Sequence, residues 1–187
     1  MRTGAIVLAV SFVASLTGCL GGESVPMTLS PTSGVVVPSS CGSTQNVHAF
    51  EGYRLASQPA AADFEQAKAA GVRTVINLRH ENEIKDFDER AVVTGLGMNY
   101  VNLPWHGPEQ LNDEIFTRAR ELLSSAEQPV LVHCGSANRV GAVWIPWRVL
   151  DGGVTFEQAL AEAKTIGLKT AEFETKAKDY VERHRKP

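Results

Sequence analysis

Apolar positions along this chain alternate between short β-branched runs and stretches of helical spacing. Val72 to Leu78 and Val130 to Val132 read as strands buried on both faces, and Met98 to Leu103 as a third. Val47 to Phe50 and Tyr53 to Ala56 form the two arms of a hairpin turned at Glu51-Gly52 and ended by Pro59. Between these runs the spacing turns helical. Asp63 to Ala70 places Phe64 and Ala67 inward and stops at Gly71, and Glu83 to Thr94 predicts a helix closed by Gly95 and Gly97. Asn112 caps a helix with Ile115, Ala119, Leu122 and Leu123 on one face. Arg139 opens a buried helix. Thr155 and Gln158 suit a capping box for the next, with Phe156, Ala159, Leu160 and Ala163 inward, and Ala171 to His184 forms a last amphipathic helix. Alternating elements predict an α/β fold with a largely parallel central sheet flanked by helices. In such sheets the ligand site lies beyond the carboxyl ends of the strands, where the loops after Leu78, Leu103 and His133 emerge.

The chain begins differently. Arg2 precedes a short apolar run, Ala5 to Leu16, of the length of a signal-peptide core rather than a membrane span. Leu16-Thr17-Gly18-Cys19 resembles the bacterial lipobox, which implies a signal peptide over 1–18, lipidation of Cys19, and an exported protein anchored to a bacterial membrane on the periplasmic or cell-surface side. Gly, Ser, Pro and Thr dominate from there to about Ser43, so 19–43 is expected to be a flexible tether and 44–187 a single domain. The formal net charge of -3 argues against nucleic acid as a partner and against a polybasic membrane patch, leaving the lipid as the only membrane contact. Of the three cysteines, Cys41 is a candidate disulfide partner for Cys134 in an oxidising compartment.

Candidate chemistry concentrates at Pro129 to Gly141. A buried strand ends at His133-Cys134, the chain turns through Gly135, Ser136, Ala137 and Asn138, and Arg139 opens a helix. Loop amides and a helix N-terminus favour an anion. They favour a thiolate for the same reason: a free cysteine titrates near ~8.5 and such settings bring it to roughly 3.5–7.5. Cys134 is therefore the candidate nucleophile and Arg139 the planar fork that grips two oxygens of a bound oxyanion. His133 is read as holding backbone beneath the loop. Arg79, at the end of its strand, is either a substrate contact or the partner of Glu81 or Glu83. His48, His106, His133 and Cys134 lack metal-like spacing, so no metal is expected.

His133-Cys134 with Arg139 resembles the signature of the protein tyrosine phosphatase superfamily. Ser57-Gln58-Pro59, the run GVRTVINLR over Gly71 to Arg79 followed by Glu81, and HCGSANRVG over His133 to Gly141 are similar to its bacterial beta-lactamase-hydrolase-like phosphatase branch. The resemblance implies a protein tyrosine phosphatase-like fold, a cysteinyl-phosphate mechanism on a phosphorylated protein or small phosphorylated molecule, and no cofactor.

Three departures keep other readings open. Only four residues separate Cys134 from Arg139, where the signature usually has five; such short loops resemble those of rhodanese-type sulfurtransferases, which implies a Cys134 persulfide and a thiol or sulfane-sulfur partner. Val140 stands where a Ser or Thr usually assists the thiolate as leaving group, and Ala137 where this branch often has Gly, a strain if that position needs a positive φ. The loop after Leu103 holds no aspartate, so His106 and Glu109 are the candidate general acids. A catalytically weak oxyanion-binding module is the third reading.

Overall fold

The computed structural model describes residues 34–185; the signal-peptide and Cys19 expectations fall outside them. Among the described residues six strands form one sheet in the order β1-β2-β3-β6-β4-β5: β1 Val37–Pro38, β2 His48–Phe50, β3 Tyr53–Ala56, β4 Thr74–Asn77, β5 Asn99–Asn102 and β6 Val130–His133. β3, β6, β4 and β5 run parallel, and β1 and β2 add an antiparallel edge. The expected α/β fold with a largely parallel sheet is the one observed.

Strand periodicity divides the core in two. On β6, Val130 and Val132 pack with Ile76, Leu55 and the helices α4 (Asp113–Ser125), α5 (Asn138–Leu150), α6 (Phe156–Ile166) and α7 (Ala171–His184). Leu131 between them faces the other side, with Val75, Ala56, and Phe64 and Ala67 of α1 (Asp63–Ala69) and Val93 of α2 (Glu89–Gly95). With both faces covered, β6 is buried at every position, which is why its sequence does not alternate. The predicted N-caps form: Asn112 Oδ1 accepts from the Ile115 amide at 3.0 Å, and Thr155 Oγ1 from Gln158 at 3.2 Å, although the Gln158 side chain donates to Glu162 and does not complete a capping box. Both satisfy helix amides that have no intrahelical partner.

Four expectations change. The domain starts before residue 44: Val36 is buried, Val37 and Pro38 pair with Ala49 and His48, and Cys41 is enclosed. Asp63 fastens this segment by accepting from the Ser43 amide and from the Ser43 and Thr44 hydroxyls, each at 2.9 Å. Composition alone misread the end of the tether because these polar residues find partners across the fold.

The helix expected over Glu83–Thr94 is two pieces, a 3-10 turn at Glu81–Glu83 and α2. Asp88 divides them, since capping Ala91 (Oδ1 to N, 3.0 Å) needs the extended backbone it adopts. The loop at 104–110 likewise contains a short helix, α3 (Gly107–Gln110).

Cys41 and Cys134 are both free thiols, buried in the two different cores, so the disulfide is not formed. Burial pushes the Cys41 thiol up to about 11, with Asp63 adding to the rise. It is a poor nucleophile held against the Asp63 carbonyl.

Candidate active site

Four parallel strands end on the same edge of the sheet, and their exits converge. β6 delivers His133 and Cys134 at its centre, β3 delivers Ser57 and Gln58 on one side, and β4 delivers Leu78 and Arg79 on the other. The Cys134 amide reaches the Ala56 carbonyl at 3.4 Å, Leu78 donates to the His133 carbonyl at 3.0 Å, and Ser57 bridges Ser136. The turn after Cys134 is thus held between two strand ends before it enters α5.

Cys134 is almost fully enclosed (1 %), while Gly135 and Ser136 are exposed at the mouth. No side chain caps α5 at Ala137, so the first-turn amides of Asn138, Arg139 and Val140 have no intrahelical acceptor. These amides and the turn stand where the sequence motif places its candidate anion cradle.

Ala137 takes the left-handed conformation (φ 63°, ψ −1°), so the positive φ falls on the alanine and not on Gly135. It is buried against Gly167, where an added Cβ would stand 3.0 Å from the Ala137 methyl and 3.1 Å from the Ser136 carbonyl. Gly167 itself has φ 142°. Gly167→Ala therefore combines backbone strain with a clash against the loop and is expected to destabilise the protein by about 2 kcal/mol or more, read by urea denaturation. An unchanged midpoint contradicts this packing.

Arg139 is fixed from several directions. Its Nη1 donates to the Leu78 carbonyl (3.0 Å), the Trp105 carbonyl (2.7 Å) and Glu83 Oε1 (2.8 Å), and Nη2 donates to Glu83 Oε2 at 2.6 Å. That leaves Nε–H and the second Nη2 hydrogen for the loop. A Cβ placed on Gly135 would lie 3.8 Å from Nη2. Burial alone would lower the Arg139 pKa, but the bond to Glu83 and the adjacent Cys134 raise it. Glu83 in turn is held at about 2 by hydrogen bonding to Arg139, against a smaller opposing effect of burial.

Arg79 takes the ordinary role among the two expected for it. It pairs with Glu83 (Nε to Oε2 at 3.5 Å; Nη2 to the Glu83 carbonyl at 2.6 Å) and donates to Gln58 Oε1 at 2.6 Å. Glu81 pairs with Arg90 instead. The Arg79 Nε nonetheless stands 4.0 Å from the Cβ position of Gly135, so this guanidinium flanks the mouth.

His133 does not bind backbone as expected. Its Nε2 lies 2.9 Å from Glu89 Oε1, with both side chains enclosed (0 % and 2 %). Gln58 donates to the other Glu89 oxygen at 2.6 Å, and Tyr100 also bonds this carboxylate. Burial pushes the Glu89 carboxyl up, yet these donors bring it below its ordinary value, so it is a carboxylate.

The remaining expected residues fare unevenly. Asn138 does not line the cradle with its side chain, which donates to Thr170 Oγ1 (2.8 Å) and accepts from the Lys169 amide (2.8 Å), tying the loop to the α6–α7 connection. His106 and Glu109 are exposed, and neither side chain makes a hydrogen bond among the described residues. The contact that the loop after β5 makes with Arg139 is the Trp105 carbonyl. Trp105 itself is core, packed edge-on to Phe173 at 5.0 Å. Glu89 and Gln58 are site residues that the sequence reading left without a role, and Glu83, expected only as a partner of Arg79, also holds Arg139. Among the described residues no cluster of three or more His, Cys, Asp or Glu is arranged for a metal ion. A cleft of about 510 Å³, walled by Pro59, Ile84 and Phe87, shares Gln58, Arg79 and Glu83 with the site.

Residues 48–148, more than half of the chain, match the family described as Beta-lactamase hydrolase-like protein, phosphatase-like domain. The Beta-lactamase hydrolase-like protein of Agrobacterium fabrum is 30% identical over 118 residues, which cover 60% of this chain and 27% of that protein. The chain thus spans about a quarter of the length of this curated relative. Among solved structures, a cysteine-to-serine variant of Pseudomonas aeruginosa TpbA in complex with phosphotyrosine superposes with a TM-score of 0.63 at 20% identity, covering 80% of this chain and 95% of that one. A DUF442 protein of Shewanella putrefaciens CN-32 gives 0.64 at 21% identity, over 77% and 96%. At these identities the two structures establish the shared fold.

Proposed function

The chain belongs to the family of phosphatase-like domains of beta-lactamase hydrolase-like proteins, and on that premise we propose that it is a cysteine-nucleophile phosphatase acting on a phosphate monoester. The observation that carries this reading is the pairing of Cys134 with Arg139 across an uncapped helix start, with Glu83 fixing the guanidinium. The cradle amides and the free N–H groups of Arg139 take the phosphoryl oxygens. Cys134 Sγ attacks phosphorus, the P–O ester bond breaks, and the leaving alcohol takes a proton. Water then attacks the cysteinyl phosphate and gives its proton to the group that protonated the alcohol; S–P breaks, inorganic phosphate leaves and the thiolate returns.

The leaving-group proton is assigned to His106 or Glu109, supported by their place on the loop whose Trp105 carbonyl holds Arg139. The phosphotyrosine in the TpbA structure supports a phosphorylated protein or small phosphorylated molecule as substrate. The apolar run before Leu16-Thr17-Gly18-Cys19 supports export and a lipid anchor at Cys19.

A paired assay tests the reading. The reduced protein receives p-nitrophenyl phosphate in one arm, and thiosulfate with cyanide in the other. Phosphate release without thiocyanate formation is expected. Thiocyanate alone assigns the short loop to sulfur transfer, and silence in both arms leaves an oxyanion-binding module.

A further inference from the structure

His133, Glu89, Gln58, Arg79, Glu83 and Arg139 come from six separate segments, yet they form one unbroken run of hydrogen bonds of 2.6–3.5 Å. The run begins beside the nucleophile and ends on the guanidinium across the loop from it. Gln58 sits at its middle. Its carbonyl accepts from Arg79 and its amide donates to Glu89, so Arg79 dictates the orientation of the carboxamide and the carboxamide supplies Glu89 with a donor. Removing it leaves a buried carboxylate one donor short and an arginine one acceptor short, and unmet bonds of this kind cost more than the bonds contribute when made.

We propose that Gln58 and Glu89 are positioning residues that lock the His133 end and the Arg139 end of the anion cradle into a single geometry. Neither touches the bound oxyanion. Gln58 holds Arg79, Arg79 and Arg139 share Glu83, and both guanidinium groups flank Gly135. The motif Ser57-Gln58-Pro59 thereby acquires a role: Ser57 bridges Ser136 of the loop while the next side chain anchors the circuit behind it. The proposal rests on reading the Cys134 loop as an anion site.

Alkylation of Cys134 tests it without turnover. Iodoacetate and iodoacetamide attack the same sulfur, but only the first is an anion, so their rate ratio reports the cradle separately from thiol reactivity. The ratio is read on the Cys134 peptide by mass spectrometry, which sets Cys41 and Cys19 aside. Gln58→Leu is expected to lower the ratio about fivefold or more, and Glu89→Gln to lower it in the same direction. In a Glu83→Gln background the loss from Gln58→Leu should largely vanish, because both changes break one circuit. Gln58→Met serves if the leucine variant does not fold. An unchanged ratio, or effects that multiply independently, overturns the proposal. A lowered ratio in a protein without phosphatase activity upholds the circuit and removes only the phosphatase reading.

Discussion

Cys134→Ser is expected to reduce phosphate release by at least about 10⁴-fold, to the level of the buffer. The serine hydroxyl occupies nearly the same volume but is not ionised at neutral pH, and the adjacent His133 does not serve as a base for it, being committed to Glu89. The fold should survive, since Cys134 contributes one small buried side chain to a large apolar cluster. Binding should survive as well, because the loop amides and Arg139 are untouched. Steady-state kinetics on p-nitrophenyl phosphate, with titration calorimetry of inorganic phosphate, separates the two. A serine variant retaining a hundredth of the parent rate would show that Cys134 is not the nucleophile.

The second large effect concerns Arg139→Lys, expected to lower kcat/KM by about 10²–10³-fold. Lysine keeps the charge but loses the planar fork, and the parent guanidinium meets two backbone carbonyls and both oxygens of Glu83 at once. Those partners are left short of donors, so stability should fall by about 1–3 kcal/mol.

The pH dependence gives an independent reading. Glu83 is depressed from 4.5 to about 2 in the folded protein by its bond to Arg139. A depressed carboxyl contributes stability that is fully present above its unfolded value and is lost as pH falls through the folded one. The parent should therefore lose stability between about pH 4.5 and 2, and Arg139→Lys should flatten that part of the curve. Urea denaturation across this window, with kinetics at neutral pH, checks both. Activity within tenfold of the parent would remove Arg139 from the oxyanion site.

Much of the frame could be read from local signals. Ala171–His184 is helical over the expected span, and Thr155 and Asn112 cap where the pattern placed them, because caps and amphipathic spacing are short-range properties of the chain. Cys134 and Arg139 announced themselves through a strand-loop-helix motif contained in one short stretch. Strain at Ala137 was conditional on a positive φ where the resembling branch often has Gly, and the structure places that φ on the alanine.

Glu89 carries no such signal, while Glu83 was legible only as a partner of Arg79 and Gln58 only as part of Ser57-Gln58-Pro59. Two of them lie among the charged residues Glu81 to Arg90, where any carboxylate reads as a solvated face. What distinguishes them is a partner 44 to 56 residues away, His133 for Glu89 and Arg139 for Glu83.

The sequence by itself determined the alternation of elements, the candidate nucleophile, the candidate clamp and the length of the loop between them, all consequences of neighbours along the backbone. Tertiary structure alone decided which carboxylate holds Arg139, that His133 faces Glu89 rather than backbone, that His106 and Glu109 stay in solvent, and that Val36 to Ser43 joins the fold. Each of these depends on which strand ends meet at one edge of the sheet. Parallel strand pairing sets that meeting, and no window of local sequence contains it.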